Sequence, residues 1–190
     1  DLVLKKIKEL GIEKNTLVIY TSDNGGSGSQ KPFRGEKGMY YEGGIREPMI
    51  AWWPSKIQPG QVTDHVSAFW DISPTVRELA GAKAQADTDG ISMVPVLLGQ
   101  GEQATHDTLY WEFFERGGKR AILKGKWKLI LYKTNTDLDP RLELFDLSRD
   151  IGETKNVASQ HPEVISELRK LMDSAHSPAE HKQFKLAAER

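Results

Sequence analysis

Cysteine is absent from all 190 residues, which excludes disulfides and thiolate-held metals and leaves the redox compartment open. Charge of one sign is also missing: 26 Lys and Arg face 27 Asp and Glu, so neither nucleic acid nor an anionic membrane surface is implied as a partner. No apolar run approaches the roughly 20 residues that a membrane-spanning helix needs. There is no Gly-x-Ser-x-Gly elbow and no phosphate-cradling P-loop, so the chain shows no activated nucleophile. The five histidines (65, 106, 161, 176 and 181) are scattered, and even His176 and His181 miss helical metal-ligand spacing by one residue. The chain begins at Asp1 inside a helical pattern, without Met or a signal segment, which reads as a piece of a longer protein.

What is present centres on residues 16–54. An apolar, β-branched run, Leu17-Val18-Ile19-Tyr20, stops at the corner Asp23-Asn24-Gly25-Gly26. A polar Gly/Ser loop follows, with Lys37 next to Gly38, and the chain turns apolar again at Pro48-Met49-Ile50-Ala51-Trp52-Trp53. The near-continuous apolar run predicts a strand over 16–21, buried on both faces of an α/β sheet. A helix over residues 2–10, closed by Gly11, feeds it. That order fits a right-handed crossover from a strand lying before residue 1. Ligands of open α/β sheets bind beyond the carboxyl ends of strands, which is where 22–26 would lie.

Downstream, the spacing predicts a buried strand over 48–53 and a short strand over 65–70. A helix then starts at Ser73-Pro74, with Ser73 as its cap and Val76, Leu79 and Ala80 as its buried face. Beyond about residue 105, short alternating runs at 108–114, 120–123, 127–132 and 142–147 predict a small antiparallel sheet. Val164, Ile165, Leu168, Leu171 and Met172 form a helical stripe that would cover it. The expected organisation is 1–104 in a main α/β domain, 105–175 in a small subdomain and 176–190 as a polar tail.

Asp23 and Asn24 offer hard oxygens suited to Ca²⁺ or Mg²⁺, yet two residues cannot complete such a site, and Asp-Asn-Gly is also an ordinary turn. Lys37 could aim a compact charge at an anion, or simply be solvated. Glu42, Arg46 and Glu47 are expected to brace the loop by ion pairing. His106, beside Asp107 and ahead of Tyr110-Trp111-Glu112-Phe113, is the histidine that reads as a site candidate.

These residues together resemble the C-terminal part of a type I sulfatase of the alkaline-phosphatase-like superfamily. The resemblance rests on Val18-Ile19-Tyr20-Thr21-Ser22-Asp23-Asn24-Gly25, on Arg34-Gly35-Glu36-Lys37-Gly38 and on Tyr41-Glu42-Gly43-Gly44-Ile45-Arg46-Glu47-Pro48. It continues through Asp71-Ile72-Ser73-Pro74-Thr75, Trp127-Lys128-Leu129 and Leu142-Glu143-Leu144-Phe145-Asp146-Leu147. These blocks follow one another in family order to about Met172. The resemblance implies an α/β fold: the C-terminal part of an alkaline-phosphatase-like sandwich plus a small antiparallel subdomain under a C-terminal helix.

It also implies that Asp23 and Asn24 are calcium ligands and that Lys37 contacts the sulfate group. The family's nucleophile is a formylglycine, made from Cys or Ser in a Cys/Ser-x-Pro-x-Arg motif that this chain lacks; Ser73-Pro74-Thr75 does not match it. The implied whole is therefore a sulfuric-ester hydrolase whose N-terminal part supplies the nucleophile and the remaining ligands, leaving this piece inactive alone and a weak calcium binder. Its substrate would be a sulfated glycan or small molecule. His106, Arg116 and the 110–113 stretch would line the substrate pocket, and the compartment would be periplasmic, secreted or lysosomal. A phosphoester or phosphonate hydrolase of the same superfamily, or a non-catalytic binding chain, are the alternatives.

Overall fold

The computed structural model describes residues 1–134 and 141–189. In chain order its helices and strands are α1 (Leu2–Glu9), β1 (Val18–Thr21), α2 (Glu42–Ile45), β2 (Met49–Trp52), α3 (Ile72–Leu79) and α4 (Val94–Leu98), then β3 (Leu109–Phe113), β4 (Lys119–Lys124), β5 (Trp127–Tyr132), β6 (Arg141–Asp146) and α5 (Pro162–Ala175). The chain divides into two compact units: Asp1–Asp23 with Glu47–His106, and Asn24–Arg46 with Asp107–Arg190. The Gly-rich loop after Asp23 thus belongs with the C-terminal sheet. Among the described residues no helix is long and apolar enough to cross a membrane.

In the first unit β1 pairs antiparallel with β2, Tyr20 opposite Ile50. Both strands were expected to be buried, but Tyr20 is 70% and Ile50 62% exposed, because nothing among the described residues covers that face. Two side chains after β2 tie it to the turn before β1: the Trp53 indole N–H and the Ser55 hydroxyl both donate to the Lys14 carbonyl. No strand forms over 65–70; Phe69–Asp71 makes a single 3-10 turn instead. The reason is Asp71, wholly buried, whose Oδ2 accepts from the Ala68 amide at 2.7 Å and whose Oδ1 accepts from the Ile91 amide at 2.8 Å. These bonds pull the backbone into a turn. Helix α3 begins at Ile72, so Ser73 is not its cap, and its buried residue is Thr75 while Val76 is 49% exposed. Thr75 earns its position by donating to the Asp71 carbonyl and accepting from the Met93 amide.

The second unit is built on the antiparallel meander β3-β4-β5-β6. A two-residue turn, Gly125-Lys126, joins β4 to β5, and Gly125 takes the positive φ of 54° that a tight turn requires. Side chains alternate between the two faces. Ile122, Leu129, Leu131 and Leu144 point to one side, where Leu168 and Met172 of α5 pack on them. Helix α5 follows the expected stripe, with Pro162 in its first turn. Ala121, Ile130 and Phe145 point to the other side and receive Tyr41 of the Gly-rich loop. The sheet is therefore covered twice, by a helix on one face and by a loop on the other.

The last residues are less polar in behaviour than their composition suggests. His176 lies between Glu112 and Glu189, 2.7 Å from each, and Leu186 is 9% exposed.

Candidate active site

In the first unit, Asp23 follows the end of β1 and is exposed. Glu47, which precedes β2, feels that carboxylate: burial and then Asp23 push its carboxyl above the usual range. Glu47 Oε1 is buried and has no hydrogen-bond partner among the described residues. Among the described residues, the expected bracing ion pair at Glu47 is thus not made, and the side chain lies near another carboxylate. Two acidic groups with an orphaned buried oxygen form a corner that a hard cation would suit. Among the described residues, no group of three or more His, Asp or Glu could hold a metal alone.

His106 also lies in this unit. Its Nε2 sits 2.9 Å from both carboxylate oxygens of Asp71, and the imidazole packs edge-on to Trp70. Its side chain is only 9% exposed, so its visible task is to complete the bonding of a buried carboxylate.

The other expected site residues, Asn24 and Lys37, lie in the second unit's loop. Lys37 occupies the second position of a turn in which the Met39 amide donates to the Glu36 carbonyl. Gly38 takes φ 81°, the value a type II turn requires at its third position. The Lys37 amide donates to the Gly26 carbonyl at 3.1 Å, and the Gly25 amide to Gly44 at 3.1 Å. The segment after Asn24 is therefore stitched to the Lys37 turn directly and also to α2.

That stitching depends on glycine for space. A Cβ on Gly25 would stand 2.0 Å from the Gly43 carbonyl oxygen; one on Gly44, 2.1 Å from that of Met39. The Gly-Gly pair at 43–44 is therefore a packing requirement of this loop rather than a flexible joint.

Beneath α2 lies a charge cluster. Lys128, on the loop-facing side of β5, is wholly buried, with Nζ 2.9 Å from Glu42 Oε1. Glu153 Oε1 is 2.7 Å from the same ammonium, but off the alignment of a hydrogen bond. Glu153 Oε2 accepts from the Glu42 amide at 2.6 Å, and Arg46 Nη1 donates to Glu42 Oε2 at 3.2 Å. Burial holds the Glu153 carboxyl above its usual range, although Lys128 pulls it back. Arg34 donates to the Glu153 carbonyl at 2.9 Å and lies 3.9 Å over the Tyr41 ring, while the Tyr41 hydroxyl donates to Glu143. Lys119 donates to the Gly38 carbonyl at 2.6 Å.

Sequence reasoning found Glu42 and Arg46 as bracing charges but missed Lys128, Glu153 and Lys119. Alternation alone assigns Lys128 to the face opposite Leu129, and a lysine there reads as solvated. The covering loop lies some 80 residues upstream, where local periodicity carries no signal of it.

A family model described as N-sulphoglucosamine sulphohydrolase, C-terminal, matches residues 34–177. Arylsulfatase A of Homo sapiens is 34% identical over 200 aligned residues, which cover 89% of this chain and 39% of the relative. Steryl-sulfatase of Mus musculus is 31% identical over 216 residues, covering 93% of this chain and 34% of the relative. The chain spans about two-fifths or less of the length of these curated relatives. Among solved structures, BT4656 in complex with its substrate D-glucosamine-2-N,6-O-disulfate superposes with a TM-score of 0.75 at 26% identity, over 96% of this chain and 37% of that one. Ps i-CgsB in complex with k-i-k-neocarrahexaose gives 0.77 at 26% identity, over 90% and 39%. Matched along most of its length by sulfatases and by the C-terminal family model, this chain belongs to the sulfatase family, as the C-terminal portion of an alkaline-phosphatase-like fold.

Proposed function

We propose that the whole protein hydrolyses sulfate esters of a glycan or small molecule, and that this portion supplies Lys37 to the sulfate group and Asp23 and Asn24 to a calcium ion. One contrast carries the reading of Lys37. Arg34, Arg46, Lys119 and Lys128 in the same unit each have a bonding partner, whereas the Lys37 ammonium pairs with none among the described residues. It is exposed at the tip of a turn whose backbone is held by hydrogen bonds. An unpaired cation on a rigid turn is pre-organised for an anion, since little ordering remains to be done on binding.

Asp23 and Asn24 would hold the metal through oxygen, and a bound divalent ion would offset negative charge on the sulfate oxygens. The formylglycine nucleophile and the other ligands would come from sequence outside this chain. Alone, the chain is expected to turn over no ester and to bind calcium weakly or not at all, which calorimetry checks. The role of Lys37 is that of an electrostatic clamp on the transferring group. In the full-length protein, Lys37→Ala should lower kcat/KM on an aryl sulfate by on the order of 10²–10³-fold. Unchanged hydrolysis would remove Lys37 from the site. His106 enters the same proposal as a substrate contact; if folded His106→Ala protein keeps its kinetics on the natural substrate, that part fails.

A further inference from the structure

The structure assigns Lys128 and Glu153 a positioning role: together they form a buried pedestal that sets the height of α2 and, through it, the Lys37 turn. This rests on the reading of Lys37 given above.

The chain of contact is continuous. The Lys128 ammonium is held by Glu42 at 2.9 Å and faces Glu153 at 2.7 Å, with no part of the side chain exposed. Glu42 is the first residue of α2, and Glu153 also grips its amide at 2.6 Å. The next residue, Gly43, donates its amide to the Arg34 carbonyl at 2.7 Å, while Arg34 itself donates to Glu153. Gly44 lies against the carbonyls of Glu36 and Met39, so close that a Cβ would sit 2.7 and 2.1 Å from them. Those two residues bracket Lys37. On the other side, Gly44 accepts from Gly25, the residue after Asn24. One four-residue helix therefore touches the segments of both expected site residues in this unit, and its lower end rests on Lys128.

A buried ammonium is an expensive support for a loop, because desolvation offsets much of its attraction. An apolar residue such as the neighbouring Ile130 would fill the same face at less cost. What the ion cluster adds is direction: two carboxylates on one ammonium fix the rotation of Glu42, and a carboxylate on the Glu42 amide fixes the start of the helix. Displacement of a reacting group by about 1 Å can cost on the order of 10²-fold in rate. Such a support would therefore matter more for activity than for folding.

The test is a double-mutant cycle in the full-length protein, with Lys128→Met, Glu153→Gln, Lys37→Ala and their combinations, assayed on an aryl sulfate and for inhibition by inorganic sulfate. We expect folded Lys128→Met to lose about tenfold or more in kcat/KM, with weakened sulfate inhibition. Adding Lys128→Met to Lys37→Ala should cost little further, because a support that acts through Lys37 has nothing left to position once that side chain is gone. Amide exchange should speed up at Lys37, Gly43 and Gly44 while β4 and β5 keep their protection. A variant that melts earlier but retains wild-type kinetics, sulfate inhibition and loop protection would reduce the pair to a purely structural role. Should Lys128→Met fail to fold, Glu153→Gln, which keeps the shape and the Lys128–Glu42 contact, is read in the same way. If Lys37→Ala alone is silent, the clamp reading fails, whereas the exchange data still decide whether the pedestal holds the loop.

Discussion

The two faces of the four-stranded sheet present opposite chemistry to their covers. Toward α5 the contacts are Ile122, Leu129, Leu131 and Leu144 against Leu168 and Met172, with Arg120 reaching Asp173 and the Met172 carbonyl at the rim. Toward the Gly-rich loop the same strands present Lys119, Lys128 and Glu143 among Ala121, Ile130 and Phe145. The apolar face is non-directional: burial there stabilises whatever shape excludes water. The charged face is directional, and each bond has a single acceptor at a single place. On the apolar face α5 needs only to be attached, whereas on the charged face the loop is held in one place.

The largest effect expected from breaking that contrast is on stability alone. Leu144→Ala removes wholly buried side-chain volume beneath α5 and should destabilise the protein by about 2–5 kcal/mol, read by denaturant unfolding. The amide protection of the loop should fall only in step with global stability. If that loop loosens selectively, the two faces are not independent.

Gly43→Ala probes the other face. Its Cβ would stand 2.5 Å from the Gly35 carbonyl oxygen and 2.6 Å from that of Arg34, both of them backbone atoms. A cost of about 1–3 kcal/mol is expected from overpacking. Selective loss of the Lys37 amide's protection should accompany it, and a fully protected Lys37 amide would contradict the packing account.

The smallest effect concerns the edge of the α5 face. Burial alone would lower the pKa of His176, but hydrogen bonds to Glu189 and Glu112 more than offset this and raise it. Other groups around the pair are Tyr110, which donates to Glu112; Arg120, which donates to Tyr110 and Asp173; Tyr40, whose pKa Glu112 helps raise; and Lys185, which helps lower that of Glu189. A raised histidine pKa stabilises fully below its unfolded value of about 6.5 and loses that contribution as pH rises through the folded value. The segment 182–189 should therefore become easier to cleave by protease as the pH is raised from 6 toward 8. Cleavage independent of pH, or a His176→Gln variant that retains the dependence, would discount the histidine.

How much of this was legible follows the same division. The meander and α5 were readable because period-2 and 3.6-residue patterns are local, and their buried sides agree with them at Ile122, Leu129, Leu168 and Met172. The tie between the loop and the sheet was not readable, because it joins residues such as Arg34 and Glu153 that are 119 positions apart. The missing strand at 65–70 shows a different limit. Apolar alternation there was real, yet one buried carboxylate, Asp71, outbid it by offering the Ala68 amide a nearer acceptor. Burial of β1 and β2 was overread for a simpler reason: composition reports what a strand could bury, and Tyr20 and Ile50 meet no cover among the described residues. Of the candidate site, Asp23, Asn24 and Lys37 were singled out from the motifs alone, while the residues that hold the Lys37 turn were not legible.

The span between Arg34 and Glu153 also sets an order in time. A ribosome emits the Lys37 turn first, and its anchor points at Lys128, Glu143 and Glu153 emerge on the order of ten seconds later at ordinary synthesis rates. Until then the loop has no sheet to lie on, and closing so long a connection carries an entropic cost that only the finished meander can repay. The Gly-rich loop should thus be among the last parts of this region to acquire its shape, so a chain cut short before Glu153 would keep the Lys37 sequence without its placement.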